Sequence, residues 1–448
     1  MLKQMIVGVA LWAFATQGYG QTAGQVVDRV VCAADPSQSY ALYIPVRGDQ
    51  QPLPIVYFFD SHGVGSLPLR KYKTLADTYG FILVGSNNSK NGNDWTTTGT
   101  IWDRLFSDTH KRLKINEQRI YTAGFSGGAK VASYVAIQHS QVKGVIANGA
   151  GLPDGVSAGD FPFSFTAIAG EGDMNMTDLA GLDAELDRTR TRHRILYFSG
   201  IHQWAPAATM RTAFAGLDLD AMAMGLLPGN ASEIAAFAAA SKQRVNGEVQ
   251  SKELVDARQE CSVAISYLGG LSDETGWFQR EAAGLDRNPE YVKQRDARAK
   301  LLTLEENTKA EYMQHFQQGD MSYWKSTIND LKAKVAAKTT ASGMYQRLLA
   351  YLSLAFYSIS NQLINGNQNE AARHFVELYK MADPTNSEAW YFSAILDARE
   401  GNTRAATGDL LSAVSQGFND RNRLRQQPEF RRLAVPIDLA RIEGKMHP

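Results

Sequence analysis

Arg119-Ile120-Tyr121-Thr122-Ala123-Gly124-Phe125-Ser126-Gly127-Gly128-Ala129-Lys130 is the stretch whose reading decides the fold. A β-branched and aromatic run breaks at a glycine, presents one serine, and breaks again at two glycines. It then continues as the alanine-rich Val131-Ala132-Ser133-Tyr134-Val135-Ala136. Strand, sharp turn and helix follow in that order. The spacing Gly124-x-Ser126-x-Gly128 fits a nucleophile elbow, in which the serine is held in a strained conformation and the flanking glycines keep side chains out of the turn.

Outward from this point, strand-like and helical runs alternate between Ser39 and about Ser199, the pattern of a mainly parallel sheet flanked by helices. The expected strands are Tyr40–Val46, Leu53–Phe59, Phe81–Gly85, Arg119–Ala123, Val142–Ala147, Phe163–Ala169 and Ile195–Ser199. The expected helices are Leu69–Tyr79, Thr100–Leu113, Gly128–His139 and Thr177–Arg192, the last capped by Thr177. Ligands of such sheets bind beyond the carboxyl ends of the strands. Partners of Ser126 are therefore sought in those loops.

A serine hydroxyl needs a base, and the base needs an orienting carboxylate. In this sheet type the chain order is serine, acid, histidine, each after a later strand. His62, His110 and His139 precede the expected acid, His193 precedes a strand, and His315, His374 and His447 lie in the helical half. Only His202, in Ser199-Gly200-Ile201-His202-Gln203-Trp204, follows a strand. The acid is Asp173, in the loop Gly170-Glu171-Gly172-Asp173-Met174-Asn175, with Glu171 and Asp178 as alternatives. The backbone N–H of Gly127 is one expected oxyanion donor. The second comes from Asp60-Ser61-His62-Gly63-Val64-Gly65, through the N–H of Ser61 or His62. Asn87, Asn88 and Trp95 follow the Phe81–Gly85 strand and, with Trp204, are candidates to line a substrate pocket. His62 has no accompanying cluster of His, Cys or Asp at metal-ligand spacing, and no cofactor is implied.

Together Asp60-Ser61-His62-Gly63, Gly124-Phe125-Ser126-Gly127-Gly128, Asp173 and Gly200-Ile201-His202-Gln203-Trp204 resemble the α/β-hydrolase superfamily. The resemblance is to the secreted polyhydroxybutyrate depolymerase, feruloyl esterase and dienelactone hydrolase-like group, over about residues 35–225. Family members more often carry an apolar residue before His-Gly, where this chain has Ser61. What the resemblance implies is hydrolysis of an ester, less often an amide, through an acyl-enzyme on Ser126. A peptidase or amidase on the same scaffold is the alternative within enzymes. An inactive binding protein that uses its helical half is the alternative outside them.

After about Pro206 strand-like runs nearly vanish, so an all-α region is expected to follow the α/β-hydrolase part. Ser353–Asn386 laid against Ser387–Asp420 gives a repeat of 34 residues, with Ala372 on Ala406 and Val376 on Leu410. The helix-pair break Asn365-Gly366-Asn367 is matched by Glu400-Gly401-Asn402. This length and pattern, with Pro384 just before the second unit, resemble the tetratricopeptide repeat, and Gly408–Leu433 reads as its closing helix. Such arrays commonly bind peptides, which implies a protein partner or self-association through this half.

The 448 residues exceed one ordinary domain. Lysine plus arginine balance aspartate plus glutamate at 46 each, so overall charge points to neither nucleic acid nor an anionic membrane. Lys3, the apolar run Met5–Ala15 and the small residues Gly18-Tyr19-Gly20 read as an export signal cleaved before Gln21. A run of about eleven residues falls short of the roughly 20 that span a bilayer, so no membrane span is expected after cleavage, and the protein is expected to be periplasmic or secreted. Cys32 and Cys261 either pair or remain buried thiols. The expected organisation is a signal at 1–20, an α/β-hydrolase domain at 21–228, a helical connecting region at 229–345 and tetratricopeptide-like repeats at 346–448.

Overall fold

The computed structural model describes residues 23–46, 52–318, 321–433 and 436–446, and the expected export signal at 1–20 lies outside them. The chain forms β1 (Val26–Cys32), β2 (Asp35–Tyr43), β3 (Leu53–Phe59), α1 (Ser66–Tyr79), β4 (Ile82–Ser86), α2 (Trp95–Arg112) and β5 (Ile115–Phe125). It continues with α3 (Gly127–Gln138), β6 (Val142–Asn148), β7 (Ser164–Gly172), α4 (Met176–Leu186) and β8 (His193–Ile201). One eight-stranded sheet results, in the order β1-β2-β4-β3-β5-β6-β7-β8. The pairs β1/β2 and β2/β4 are antiparallel and every other pair is parallel. This is the α/β-hydrolase arrangement, followed by a helical region.

The central strands are apolar because both faces are covered. Along them, alternate residues enter different clusters. Ala41, Tyr43, Val56, Phe58, Tyr121, Ile146 and Ile168 face one layer, whereas Tyr40, Leu42, Ile55, Tyr57, Ile120, Val145 and Ala167 face the other. The strand missing from the sequence reading is β1, an edge strand. Its Asp28 and Arg29 are exposed, so its apolar residues form no continuous run. Helix α2 begins five residues before the expected Thr100 because Asp94 caps it, accepting the Thr97 N–H at 2.7 Å. Helix α4 ends at Leu186, short of the expected Arg192. There Asp160 takes the Arg190 N–H at 2.8 Å and the Thr191 hydroxyl donates to the Gly159 carbonyl at 2.6 Å, turning the chain toward β8. Its N-terminal residue is preceded by Asn175, not capped by Thr177.

The helical region comprises α5 (Ala207–Ala223), α6 (Ala231–Gln250), α7 (Leu254–Leu268), α8 (Thr275–Asp286), α9 (Pro289–Gln318), α10 (Met321–Ala336) and α11 (Ser342–Asn365). Then come α12 (Asn369–Ala382), α13 (Ser387–Arg399), α14 (Thr403–Ser415), α15 (Arg421–Gln426), α16 (Pro428–Arg431) and α17 (Leu439–Glu443). Among the described residues, no helix is long and apolar enough to cross a membrane.

The apolar core divides elsewhere than at residue 228. Phe237, Leu254, Cys261, Tyr267 and Phe278 of α6 to α8 belong to the same cluster as Phe58, Tyr121 and Ile146 of the sheet. One sheet face is wide, and the apolar stripes of α6 to α8 complete its cover. A separate cluster starts with Tyr312 on α9 and runs to Met446. Helix α9 joins the two, with Tyr291 near its start buried in the first core and Tyr312 in the second.

Helices α11 with α12 and α13 with α14 form two packed pairs. Ala372, Val376, Ala406 and Leu410 are fully buried, as residues between closely packed helices should be. Asn367 and Gly401 both turn in the left-handed region, at φ 55° and 76°. The expected closing helix is not continuous. Gly417, at φ 98°, and Pro428 break the segment into the end of α14, α15 and α16. Cys32 and Cys261 are free and buried in clusters on opposite sides of the sheet. Burial pushes both thiols up, Cys32 to about 11 and Cys261 to about 12.

Candidate active site

Ser126 follows the last residue of β5 and precedes the first of α3, at φ 56° and ψ −124°. A non-glycine residue there is strained and is held only by its surroundings. Its N–H donates to the Asn148 carbonyl at 2.8 Å. Gly124 and Gly128 are required by close approach: a Cβ on Gly124 would meet the Gly128 carbonyl, and one on Gly128 would meet the carbonyl of Phe59 at the end of β3. The turn is thus pressed between β3 and β6.

His202 Nε2 lies 2.9 Å from Ser126 Oγ, and His202 Nδ1 lies 2.9 Å from Asp173 Oδ1. The structure brings together the three residues expected from β5, β7 and β8. With Asp173 ionised, the imidazole proton sits on Nδ1 and Nε2 is the free acceptor facing the hydroxyl. Asp173 is fully buried, and its Oδ1 also accepts the Asn175 N–H at 2.9 Å. Phe125 packs its ring against the imidazole, with centroids 4.7 Å apart. Gly149, at φ 70°, lies alongside the pair. A Cβ there would sit 3.1 Å from His202 Cε1 and 3.2 Å from Asp173 Oδ2, so the position needs glycine for both its backbone and its space.

The alternative acids are placed otherwise. Glu171 and Asp178 make no hydrogen bond to His202 among the described residues, and burial raises the pKa of both. His193 lies 3.2 Å from Asp187 and His110 lies 3.3 Å from Glu117, each beside a carboxylate other than Asp173.

Of the two residues proposed for the second oxyanion donor, His62 has its N–H engaged by Asp60 Oδ1 at 2.9 Å. The Ser61 N–H makes no hydrogen bond among the described residues. The contact of Gly128 with Phe59 and Asp60 brings the Ser61 segment beside the Gly127 N–H. Asn91 occupies the same corner. Its N–H donates to the Ser61 carbonyl at 2.8 Å, and its side-chain amide lies where a Cβ on Gly127 would be. The His62 ring is exposed, and its pKa is raised by its contact with Asp60 and by Glu388 of α13.

Three proposed pocket residues have structural uses instead. Trp204 is 5% exposed, donates its indole N–H to Asp60 Oδ2 at 2.9 Å, and packs on Phe58, Tyr72 and Phe125 beneath the site. Burial raises the Asp60 carboxyl, but the bonds from His62 and Trp204 outweigh it and hold the pKa below its ordinary value. Asn87 accepts from the Gly65 N–H at 3.2 Å and donates to the Asp28 carbonyl at 3.0 Å. Asn88 accepts from the Ser39 N–H at 2.8 Å and donates to the Ser37 carbonyl at 3.0 Å. Both tie the loop after β4 to the edge of the sheet. Trp95 is 41% exposed and stacks on Tyr134 with centroids 4.6 Å apart. With Val64, Leu67, Val156 and Ile201 it forms a set of exposed apolar side chains on the segments that follow, or in the case of Ile201 end, the strands at their carboxyl ends.

Sequence reasoning passed over Asn148. It is fully buried at the end of β6, its carbonyl holds the Ser126 N–H, its Oδ1 accepts the Ala205 N–H at 2.7 Å, and its Nδ2 donates to the Gln203 carbonyl at 3.3 Å. One residue thereby joins the serine turn, through its backbone, to the histidine loop, through its side chain. The available signal was a lone amide closing the apolar run Val145-Ile146-Ala147.

No family model matches the chain, and no curated protein matches it. Among solved structures it is similar to a fluorophosphonate-binding serine hydrolase of Staphylococcus aureus, at 12% identity over 40% of this chain and 92% of that one, with a TM-score of 0.34. It is similar to a hyperthermophilic esterase of Pyrobaculum calidifontis at 15% identity, over 47% and 89%, with a TM-score of 0.37. A third is an S-formylglutathione hydrolase of Staphylococcus aureus, at 12% identity, over 44% and 98%, with a TM-score of 0.36. At such identities and scores the likenesses say nothing about activity. The site is read from its own geometry.

Proposed function

We propose that this chain is a serine hydrolase that cleaves a carboxylic ester through an acyl-enzyme on Ser126. The observation that carries the reading is the unbroken chain Asp173–His202–Ser126, two contacts of 2.9 Å ending on a serine held at φ 56°. In this reading Ser126 Oγ attacks the ester carbonyl as its proton passes to His202 Nε2, and Asp173 stabilises the imidazolium. The N–H groups of Gly127 and Ser61 receive the oxyanion. His202 then protonates the leaving alcohol, and water, deprotonated by the same nitrogen, releases the acid and restores Ser126. The exposed apolar set of Val64, Leu67, Trp95, Val156 and Ile201 favours an apolar acyl or aryl group.

A panel of chromogenic esters of increasing acyl length tests this. Ser126→Ala should lower kcat by roughly four to six orders of magnitude and leave the melting temperature within a few degrees of the parent. Near-normal turnover by that variant would sink the assignment. The apolar run Met5–Ala15 supports export, for which N-terminal sequencing of the mature protein should begin at Gln21. The paired helices α11 to α14 support a tetratricopeptide-like array, checked by sedimentation of the full chain with and without candidate peptides.

A further inference from the structure

The helical half reaches the acid of the triad. Asp173 lies in the loop between β7 and α4, with Glu171 near the end of β7 and Thr177 near the start of α4, and its Oδ2 has no hydrogen-bond partner among the described residues. The carboxylate is thus aimed at His202 mainly by the backbone that carries it. Within the sheet part, Asn175 Nδ2 anchors that loop to the Gly149 carbonyl at 2.7 Å. At its start Gly172 pairs with Ile201 of β8, and the Asp173 N–H donates to the Gly170 carbonyl at 3.0 Å. Two further anchors come from α9 and α11.

Arg347 of α11 donates from Nη1 to the Glu171 carbonyl at 2.5 Å, two residues before the acid. Lys309 of α9 donates from Nζ to Thr177 Oγ1 at 3.2 Å, four residues after it. Both cations meet one carboxylate, and Lys309 also donates to Glu306 Oε1 at 3.1 Å. Arg347 Nε and Nη2 donate to Glu305 Oε2 at 2.8 and 2.6 Å, and Lys309 Nζ lies 3.2 Å from Glu305 Oε1. Glu305 is fully buried and Arg347 is 6% exposed. Gly172 faces Gln346 so closely that a Cβ would lie 2.9 Å from its Cγ. A buried carboxylate with two cations is costly to assemble and is poor evidence for stability by itself. Here it fixes two donors on either side of one catalytic loop.

We propose that Arg347 and Lys309, tied together by Glu305, are positioning residues that clamp the Glu171–Thr177 segment and set where Asp173 meets His202. The helical half is then part of the catalytic apparatus, although it contributes no reacting group. This rests on the triad reading above. A displacement of about 1 Å in a catalytic group can cost on the order of a hundredfold in rate.

The test uses the full chain. In Arg347→Met with Glu305→Leu, both charges leave together, so no carboxylate is stranded without Arg347. Lys309→Met removes the milder anchor alone, and Arg347→Lys retains a charge without the fork. Small-ester kcat and KM, reactive serines counted with a fluorophosphonate, and the downfield proton resonance between His202 and Asp173 are measured for each. The expected result is a kcat per reactive serine lower by about tenfold or more in the double variant, with KM within about twofold. A weakened proton resonance and partial recovery in Arg347→Lys should accompany it. A kcat per reactive serine within about twofold of the parent in every variant overturns the clamp. So does a loss explained by fewer reactive serines alone. If the parent itself shows no turnover that depends on Ser126, the triad reading fails instead.

Discussion

Helices α5 to α8 and helices α9 to α17 follow the same sheet but join it by opposite means. The first group puts Phe214, Leu217, Phe237, Tyr267 and Phe278 into the core of one sheet face. It also buries charge there: Arg194 and Arg192 donate to Asp220 at 2.5 Å each, and Arg194 lies over the Tyr267 ring at 4.1 Å. Apart from the start of α9, where Tyr291 enters the first core, the second group keeps its own apolar core and touches the acid loop through Arg347 and Lys309. Apolar burial is nondirectional and scales with area, so the first group stabilises the sheet. Hydrogen bonds depend on angle and distance, so the second group can set the position of a loop without holding the sheet together.

The largest expected effect distinguishes these two roles. A chain ending at residue 228 lacks α6 to α8 and exposes Phe237, Leu254, Tyr267 and Phe278 partners in the sheet core. At roughly 1.5–3 kcal/mol for each large side chain, the loss rivals a whole domain's stability of about 5–15 kcal/mol. It should be insoluble or unfolded by circular dichroism. A soluble, cooperatively melting product of that length would break the comparison.

Next in size, Leu410→Ala opens space in the second core, at a cost of about 2–5 kcal/mol. Calorimetry should show a lowered transition for the far helices ahead of a second one near the parent temperature. A single transition moved as a whole would mean that the two cores melt together.

A smaller effect belongs to Asp60, beneath the histidine loop. Its folded-state pKa is depressed, so its ionisation stabilises the fold above the ordinary carboxylate range, and that contribution is lost as pH falls through the depressed value. Asp60→Asn should flatten the acid-side decline of stability, read as denaturation midpoint against pH. An unchanged slope would show that Asp60 is not linked to folding. Smallest of all, reductant should leave the melting temperature unchanged, because Cys32 and Cys261 are buried on opposite faces of the sheet. A drop on reduction would require a bridge that this packing forbids.

The parts that were legible depend on local pattern. Leu53–Phe59 is a strand at the bounds its apolar run implies, and Gly124-x-Ser126-x-Gly128 forms the turn its glycines require. What was misread depends on partners distant in the chain. Trp204 looks like a pocket residue until Asp60 takes its indole N–H, and Asn87 and Asn88 look free until β1 and β2 supply their partners. The edge strand β1 escaped because Asp28 and Arg29 in its middle face solvent and break the apolar signal.

Sequence alone therefore determined the sheet, its helical follow-on and the candidates Ser126, Asp173 and His202, because strand and helix periods, turn chemistry and the order of loops along a parallel sheet are properties of adjacent residues. Folding in three dimensions decided which donor beside Ser126 is free, that Asn148 links two loops, that α6 to α8 belong to the sheet, and that Arg347 meets Glu171. Apart from the local bond of His62 to Asp60, these contacts join residues tens to nearly two hundred positions apart, and hydrogen bonding and burial act on distance in space, which spacing along the chain does not encode.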